Sequence, residues 1–388
     1  MIRQRKDTRA TMARSDRPIG DQRFVFSLCL TVLALLCRPG LGALPTQGER
    51  LAQRMIPIPH PITSLLRSRS IQRELGLSTD TLAQIEKEVN DVDLPLWRLR
   101  DHPSDDRNDQ AIALIDRLRR GLSEILTAPQ IERFNQIVWQ AQGVDALLES
   151  DVSARLRLSA NQINAIASHL SIGYQRIAEL QRNAEIRSES IRHIRIKESQ
   201  NEARQRVMAV LDSSQQNAFT RLLGRRINLS QVRSIGCKAP DIEVDTWINS
   251  APVKLSEFRG KVTVVHFYAY GCGNCVRSLP HYVSWAKRFD SDTFAIVGIH
   301  RPESDGERDI ENVKKKAAQA DMDYPIAIDN QSLAWRAWGN HDWPTTYLID
   351  KNGLIRYWWY GELNWQNNGS EKYLRDRIQT LIREPVEG

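Results

Sequence analysis

The sequence predicts a multidomain fold, an all-α helical module on the N-terminal side followed by an α/β domain on the C-terminal side. Three observations predict it. Residues 50–232 hold few strand-like runs and place apolar residues three and four apart, the period of a helix buried on one face. From residue 236 the composition shifts to short β-branched runs, glycines and aromatics, with strand-like and helix-like stretches alternating. Within that second half, the β-branched and aromatic run Val262–Tyr268 leads through Gly271 into Cys272-Gly273-Asn274-Cys275, which opens a helix-like segment. The boundaries are a leader over 1–43, the helical module over 44–234 and the α/β domain over 235–388. A chain of 388 residues has room for this division and for a substantial core.

The leader comes first. A stretch rich in Arg and Lys precedes Phe24–Cys37, an uncharged run of fourteen residues. That is short for a spanning helix and suits the apolar core of a signal peptide. Arg38-Pro39-Gly40 breaks it, and Gly42 and Ala43 offer a cleavage point. No twin-arginine pair precedes it, and Leu36 before Cys37 does not suit a lipoprotein signal. An uncleaved membrane anchor is the alternative. Export to the periplasm or cell envelope changes how charge and cysteine read. Residues 1–43 carry a net +5 of the chain's +7, so the high isoelectric point is no argument for a nucleic-acid partner. Cys29 and Cys37 would leave with the signal; Cys237, Cys272 and Cys275 remain where disulfides can persist.

In the helical module one device recurs: Leu126-Thr127-Ala128-Pro129-Gln130, Leu158-Ser159-Ala160-Asn161-Gln162 and Leu211-Asp212-Ser213-Ser214-Gln215. A weaker copy at Leu77-Ser78 has Thr81 where Gln would stand. Ser, Thr or Asp three positions before Gln is the capping-box arrangement. Offsetting the chain by 85 aligns Gln130 with Gln215, Phe134 with Phe219 and Val138 with Leu223, so two related units of roughly 80 residues are expected. The device resembles the L-T-x-x-Q motif of Spy/CpxP-type helical proteins, which implies client binding or stress sensing; plain helix capping accounts for the same residues. Tyr174 to Ala209 is highly charged and reads as a long solvated helix or helical hairpin.

In the α/β domain the expected order is a strand at 262–268, a helix from Val276 to about Phe289, a strand at 293–300 and a helix at 307–320. A strand at 324–328, a short helix at 332–338 and a strand after Trp343-Pro344 follow. Lys351-Asn352-Gly353 then forms a hairpin turn into a strand at 354–360, and a helix at 371–382 closes the chain. Two cysteines across the first turn of a helix that follows a strand can form a disulfide. The helix N-terminus, with its unpaired N–H groups, favours a thiolate there. Cys272 is the exposed attacker and Cys275 the resolving thiol. The alternative is half of a structural zinc site, for which no second C-x-x-C pair exists.

Taken together, A-P-D-I at 239–242, L-S-E-F-R-G-K at 255–261, C-G-N-C at 272–275, W-P-T-T-Y-L-I-D-K-N-G at 343–353 and Y-G-E-L at 360–363 resemble the thioredoxin-like redoxin family. The exported TlpA/ResA-like and DipZ-type branch is the nearest in pattern. The resemblance covers about 236–385. It implies a thioredoxin fold with an inserted strand and helix, a cis Trp343–Pro344 bond beside Cys272, and substrate binding by Trp343, Pro344 and Thr345. Pro280 matches the proline that bends the active-site helix. Three positions depart from the pattern. His266 stands where thioredoxins have a buried acid, so it is either a proton relay to Cys275 or a core histidine. Ser278 replaces a Glu common in the TlpA/ResA branch, and Gly271 and Asn274 replace the usual Trp and Pro. Trp338 and Trp343 are either an apolar rim for substrate or packing.

The function expected is an exported thiol–disulfide oxidoreductase acting on protein dithiols and disulfides, with no cofactor and no metal. A reductant would draw on a membrane electron donor; the residues set neither the direction of electron flow nor an oligomeric state. Two alternatives belong to other classes. A peroxiredoxin-like peroxidase wants Thr and Pro three and seven residues before its cysteine, where this chain has Ala269 and Val265. An envelope stress or chaperone-type binding protein would work through the helical module alone. Cys237 is either a spare thiol or a regulatory disulfide partner.

Overall fold

A computed structural model describes residues 58–102, 106–182, 189–233 and 235–386. The expected leader, 1–43, lies outside the described residues. Among those residues no helix is long and apolar enough to cross a membrane.

The N-terminal region is helical, in two groups. Pro61–Leu66 (α1), Arg69–Glu74 (α2), Thr79–Arg98 (α3), Asp106–Ile125 (α4) and Ala128–Gln142 (α5) enclose one core that includes Leu65, Ile71, Val89, Leu118 and Phe134. In α3 the buried Ile85, Val89, Val92 and Leu96 recur every three or four residues, which is why this stretch turns one face inward. Ser150–Arg155 (α6), Ala160–Arg182 (α7), Glu189–Ala209 (α8) and Ser213–Leu222 (α9) enclose a second core with Trp139, Leu147, Ile166, Val207 and Phe219. The recurring device starts helices as capping predicts. Gln130 Oε1 accepts from Thr127 N–H at 3.0 Å, Gln162 Oε1 from Ser159 N–H at 3.0 Å and Gln215 Oε1 from Asp212 N–H at 3.1 Å. The charged stretch from Tyr174 is the helical hairpin α7–α8, with Ile172, Ile191 and Ile194 exposed on it.

The C-terminal region is a mixed sheet of the thioredoxin-like kind. Its strands are Trp247–Ile248 (β1), Val262–Tyr268 (β2), Phe294–His300 (β3), Ile326–Ile328 (β4), Thr345–Ile349 (β5) and Ile355–Tyr360 (β6), in the order β1-β4-β3-β2-β5-β6. β2, β3 and β4 run parallel, while β5 and β6 pair antiparallel at one edge and β1 at the other. Gly273–Arg288 (α10), Ile310–Gln319 (α11), Leu333–Ala337 (α12) and Ser370–Arg383 (α13) complete it. β2 is buried on both faces, and its alternation sorts the core. Val262, Val264 and Tyr268 join Cys275, Tyr282 and Trp285 on one side. Val265 and Phe267 join Cys237, Trp335, Trp338 and Tyr347 on the other.

Most expected elements are present; the differences are local. The helix expected over 307–320 is a 3₁₀ turn, Asp305–Arg308, followed by α11, because the Asp309 carboxylate accepts from Glu311 N–H and restarts the helix there. β4 begins at Ile326 rather than 324, after Pro325, which has no N–H to give. The two-residue β1 is too short to leave a period in the sequence. The end of α3 enters the sheet region's core: Leu94 packs against it, and Trp97 is fully buried against Tyr347 and Trp358, with ring centroids 6.2 and 4.8 Å away.

Candidate functional site

Cys272 is the N-cap of α10, so its sulfur faces the N–H groups that the first helical turn leaves unpaired. The Cys275 N–H donates to Cys272 Sγ at 3.4 Å. Hydrogen bonding from Cys275 and from the Asn274 N–H lowers the Cys272 pKa from 9.0 to about 7, against an opposing push from burial. Cys275, one turn on, is fully buried, and burial pushes its thiol far up, with the hydrogen bond to Cys272 adding to the effect. The pair is asymmetric: a half-buried sulfur ready to ionise and a sheltered one that holds its proton.

The other expected site residues gather at the same end of the sheet. Thr345 pairs with Phe267 of β2, which places Pro344 beside the residues that leave β2 for the cysteine turn. The Trp343–Pro344 bond is cis. Trp343 packs on the core that holds Cys275, lies against Trp335 with centroids 4.3 Å apart and the rings tilted by 31°, and lies under the Arg301 guanidinium at 4.6 Å. Trp338 is buried against Phe267 and Tyr347 and is packing, not rim. Thr345 is buried, with its hydroxyl donating to the Asp342 carbonyl at 2.7 Å.

His266 is buried in the position its spacing implied. Its ring stacks on Tyr282 at 4.1 Å, and Nε2 meets Tyr324 Oη at 3.0 Å. It makes no hydrogen bond to either thiol, and burial alone lowers its pKa to about 3, so the ring is neutral. Tyr268 and Tyr282 flank the His266 ring, with centroids 5.3 and 4.1 Å away, and belong to the same core as Cys275. Ser278 is structural: its hydroxyl donates to the Asn274 carbonyl at 2.9 Å and accepts from Leu363 N–H at 3.1 Å.

Two acidic groups were not anticipated. The buried Glu307 carboxylate accepts from Gly271 N–H at 3.2 Å and from Ser304 Oγ at 3.0 Å, with His300 Nε2 3.8 Å away. A Cβ on residue 271 would lie 2.7 Å from Glu307 Oε1, so any other residue here would push the glutamate side chain aside. Glu303 acts on Cys272 in the opposite sense to the helix, raising its pKa. The signal available was their position just past a parallel strand's carboxyl end, where open α/β sheets collect functional groups. Cys237 is buried on the far face of β2 from Cys275, and burial pushes its pKa up; the sheet stands between it and the pair.

Residues 235–358 match the AhpC/TSA family. Among known proteins, Protein DipZ of Mycobacterium tuberculosis is 39% identical over 137 residues, covering 34% of this chain and 20% of DipZ. Thiol-disulfide oxidoreductase ResA of Geobacillus thermodenitrificans is 29% identical over 123 residues, 32% of this chain and 67% of ResA. Thiol-disulfide oxidoreductase YkuV of Bacillus subtilis is 25% identical over 138 residues, 36% of this chain and 88% of YkuV. The match spans about a fifth of the length of DipZ, and none of these similarities extends over more than 40% of this chain.

Proposed function

We propose that this chain, whose residues 235–358 form a redoxin domain, is an exported thiol–disulfide oxidoreductase acting on protein dithiols and disulfides. The observation that carries the proposal is the asymmetry of the pair: Cys272 at the helix N-cap with its pKa near 7, Cys275 sheltered with its pKa raised. In the reducing direction the Cys272 thiolate attacks one sulfur of a client disulfide. A mixed disulfide forms, the client S–S bond breaks, and one client thiolate leaves. Cys275 then loses its proton and attacks Cys272 Sγ. The second client thiolate departs, and two electrons have passed from the dithiol to the client. Oxidation of a client dithiol is the same sequence reversed.

Each remaining group has a part in this reading. Trp343, Pro344 and Thr345 form the client-docking edge beside Cys272. His266, neutral and linked through tyrosines, is a candidate route for the Cys275 proton rather than its direct acceptor. Export follows from the apolar run Phe24–Cys37 and would place the electron donor, in the reducing direction, at a membrane. No cofactor is needed for exchange between sulfurs.

Trapping tests the proposal. Cys275→Ser should accumulate a stable mixed disulfide with an oxidised client through Cys272, one client thiolate leaving, and Cys272→Ser should abolish exchange. Trapping through Cys275 in the Cys272→Ser protein would reverse the assignment. The Cys272–Cys275 reduction potential, set against the compartment's poise, then assigns direction, since about 30 mV separates tenfold-scale differences in the equilibrium.

A further inference from the structure

The segment that ends α3 reaches across 241 positions of sequence to the loop in front of Pro344. Arg98 Nε donates to the Ala337 carbonyl at 3.0 Å, Trp97 Nε1 to the Trp338 carbonyl at 3.2 Å, and Arg100 to the carbonyls of Trp338 and Gly339 at 3.2 and 2.9 Å. Of these three consecutive carbonyls, the first belongs to the last residue of α12, the second to its C-cap and the third to the residue just beyond. Gly339 has φ +63°, and a Cβ there would sit 3.3 Å from Arg98 Cα, so the loop needs glycine to come this close.

Arg100 is the centre of the contact. Its side chain is 2% exposed, and its five N–H donors all have acceptors: the Trp97, Trp338 and Gly339 carbonyls and the Tyr347 and Tyr360 hydroxyls. Its guanidinium lies 4.2 Å from the Trp97 ring. Tyr347 passes the contact on by donating to Asn340 Oδ1, and the Asp101 carboxylate accepts from Tyr360 and meets His341 Nε2 at 3.0 Å. Every residue from Ala337 to His341 is therefore held by the helical region, directly or through one tyrosine. A guanidinium with this fixed fork cannot be replaced by an ammonium without losing acceptors.

We infer that Trp97–Asp101 is a positioning arm, with Arg100 its central residue, that sets the loop leading to Trp343 and Pro344 and so the surface on which a protein client meets Cys272. The docking half of this rests on the oxidoreductase reading; the holding half does not. Arg100 touches neither cysteine and acts through the loop.

The test uses the full chain with Arg100→Lys, and with Asp101→Asn as a milder change that leaves the buried guanidinium in place. Hydrogen exchange of peptides over 337–345 should speed by about tenfold in Arg100→Lys and less in Asp101→Asn, with β2 and α10 unchanged. With reduced dithiothreitol as electron donor, the KM for a protein disulfide such as insulin should rise roughly fivefold, while the rate at which dithiothreitol re-reduces the Cys272–Cys275 disulfide, which needs no docking edge, stays within about twofold. Unchanged exchange over 337–345 in both folded variants would overturn the arm. Equal losses toward insulin and dithiothreitol would overturn the docking role and leave only a structural contact. A wild-type protein inert toward both substrates would overturn the oxidoreductase reading instead, and the exchange data would still decide whether the arm holds the loop.

Discussion

At the scale of single residues, the site is a set of displaced proton affinities, and these have consequences for pH. The Cys272 thiol falls from 9.0 to about 7 on folding. An acid whose pKa is lowered by folding stabilises the native state fully above its unfolded value and loses that contribution as pH drops through the native one. The reduced protein therefore gains stability from Cys272 between about pH 7 and pH 9. His341 does the reverse. Its hydrogen bonds to Asp101 and Asp342 raise it from 6.5 to about 9, so its contribution is complete below 6.5 and lost as pH climbs through 9. The trends oppose each other in one window, so each is read as a difference. The gap in urea midpoint between wild type and Cys272→Ser, measured in reductant, should widen from pH 7 to 9; that between wild type and His341→Gln should narrow. A gap for Cys272→Ser that stays flat would mean the helix does not stabilise the thiolate. Alkylation of Cys272 should reach half its maximal rate near pH 7, with Cys275 unreactive.

At the scale of elements, the recurring caps are not independent. Gln162 and Gln215 pair amide to amide, Gln162 Nε2 donating to Gln215 Oε1 at 2.7 Å. Each also reaches into the neighbouring turn: Gln162 Nε2 to the Val210 carbonyl at 3.1 Å, Gln215 Nε2 to the Leu156 carbonyl at 3.4 Å. The capping device thus joins the start of α7 to the start of α9. Gln162→Ala and Gln215→Ala should each cost about 1 kcal/mol in urea unfolding, with the double variant costing less than the sum because the shared bond is lost only once. Strict additivity would make these simple caps. The capping and the strands β2 and β5 were legible because each depends on residues within a few positions. The ends of α11 and β4 were not, because Asp309 and Pro325 act at single positions that a periodic pattern passes over.

At the scale of the whole molecule, the helical and sheet regions share a core through Trp97. It closes an aromatic face made by Tyr347 and Trp358, and Arg100 satisfies carbonyls beside it. Residues 235–388 produced alone should expose that face and bind a hydrophobic dye that the full chain does not. Trp97→Ala in the full chain should cost about 3–5 kcal/mol. A separated domain as stable as the full chain, with no dye binding, would mean that Trp97 is accommodated rather than required.

By itself, the sequence determined the helical and α/β halves, the buried strand β2, the cysteine pair at the head of α10 and the Trp343-Pro344 approach to β5. All of these are set by neighbouring residues, through side-chain period, backbone restriction and capping. Only the tertiary structure decided which charges are buried and which aromatics are core. Arg100 and Glu307 look in sequence like any solvated charge, and Trp338 looks like Trp343. Their roles come from partners far along the chain or across a turn: the Trp338 and Gly339 carbonyls for the arginine, the Gly271 N–H for the glutamate. A charge is worth burying only where several such groups converge on it, and convergence of that kind is a property of the folded chain, with no local pattern to announce it.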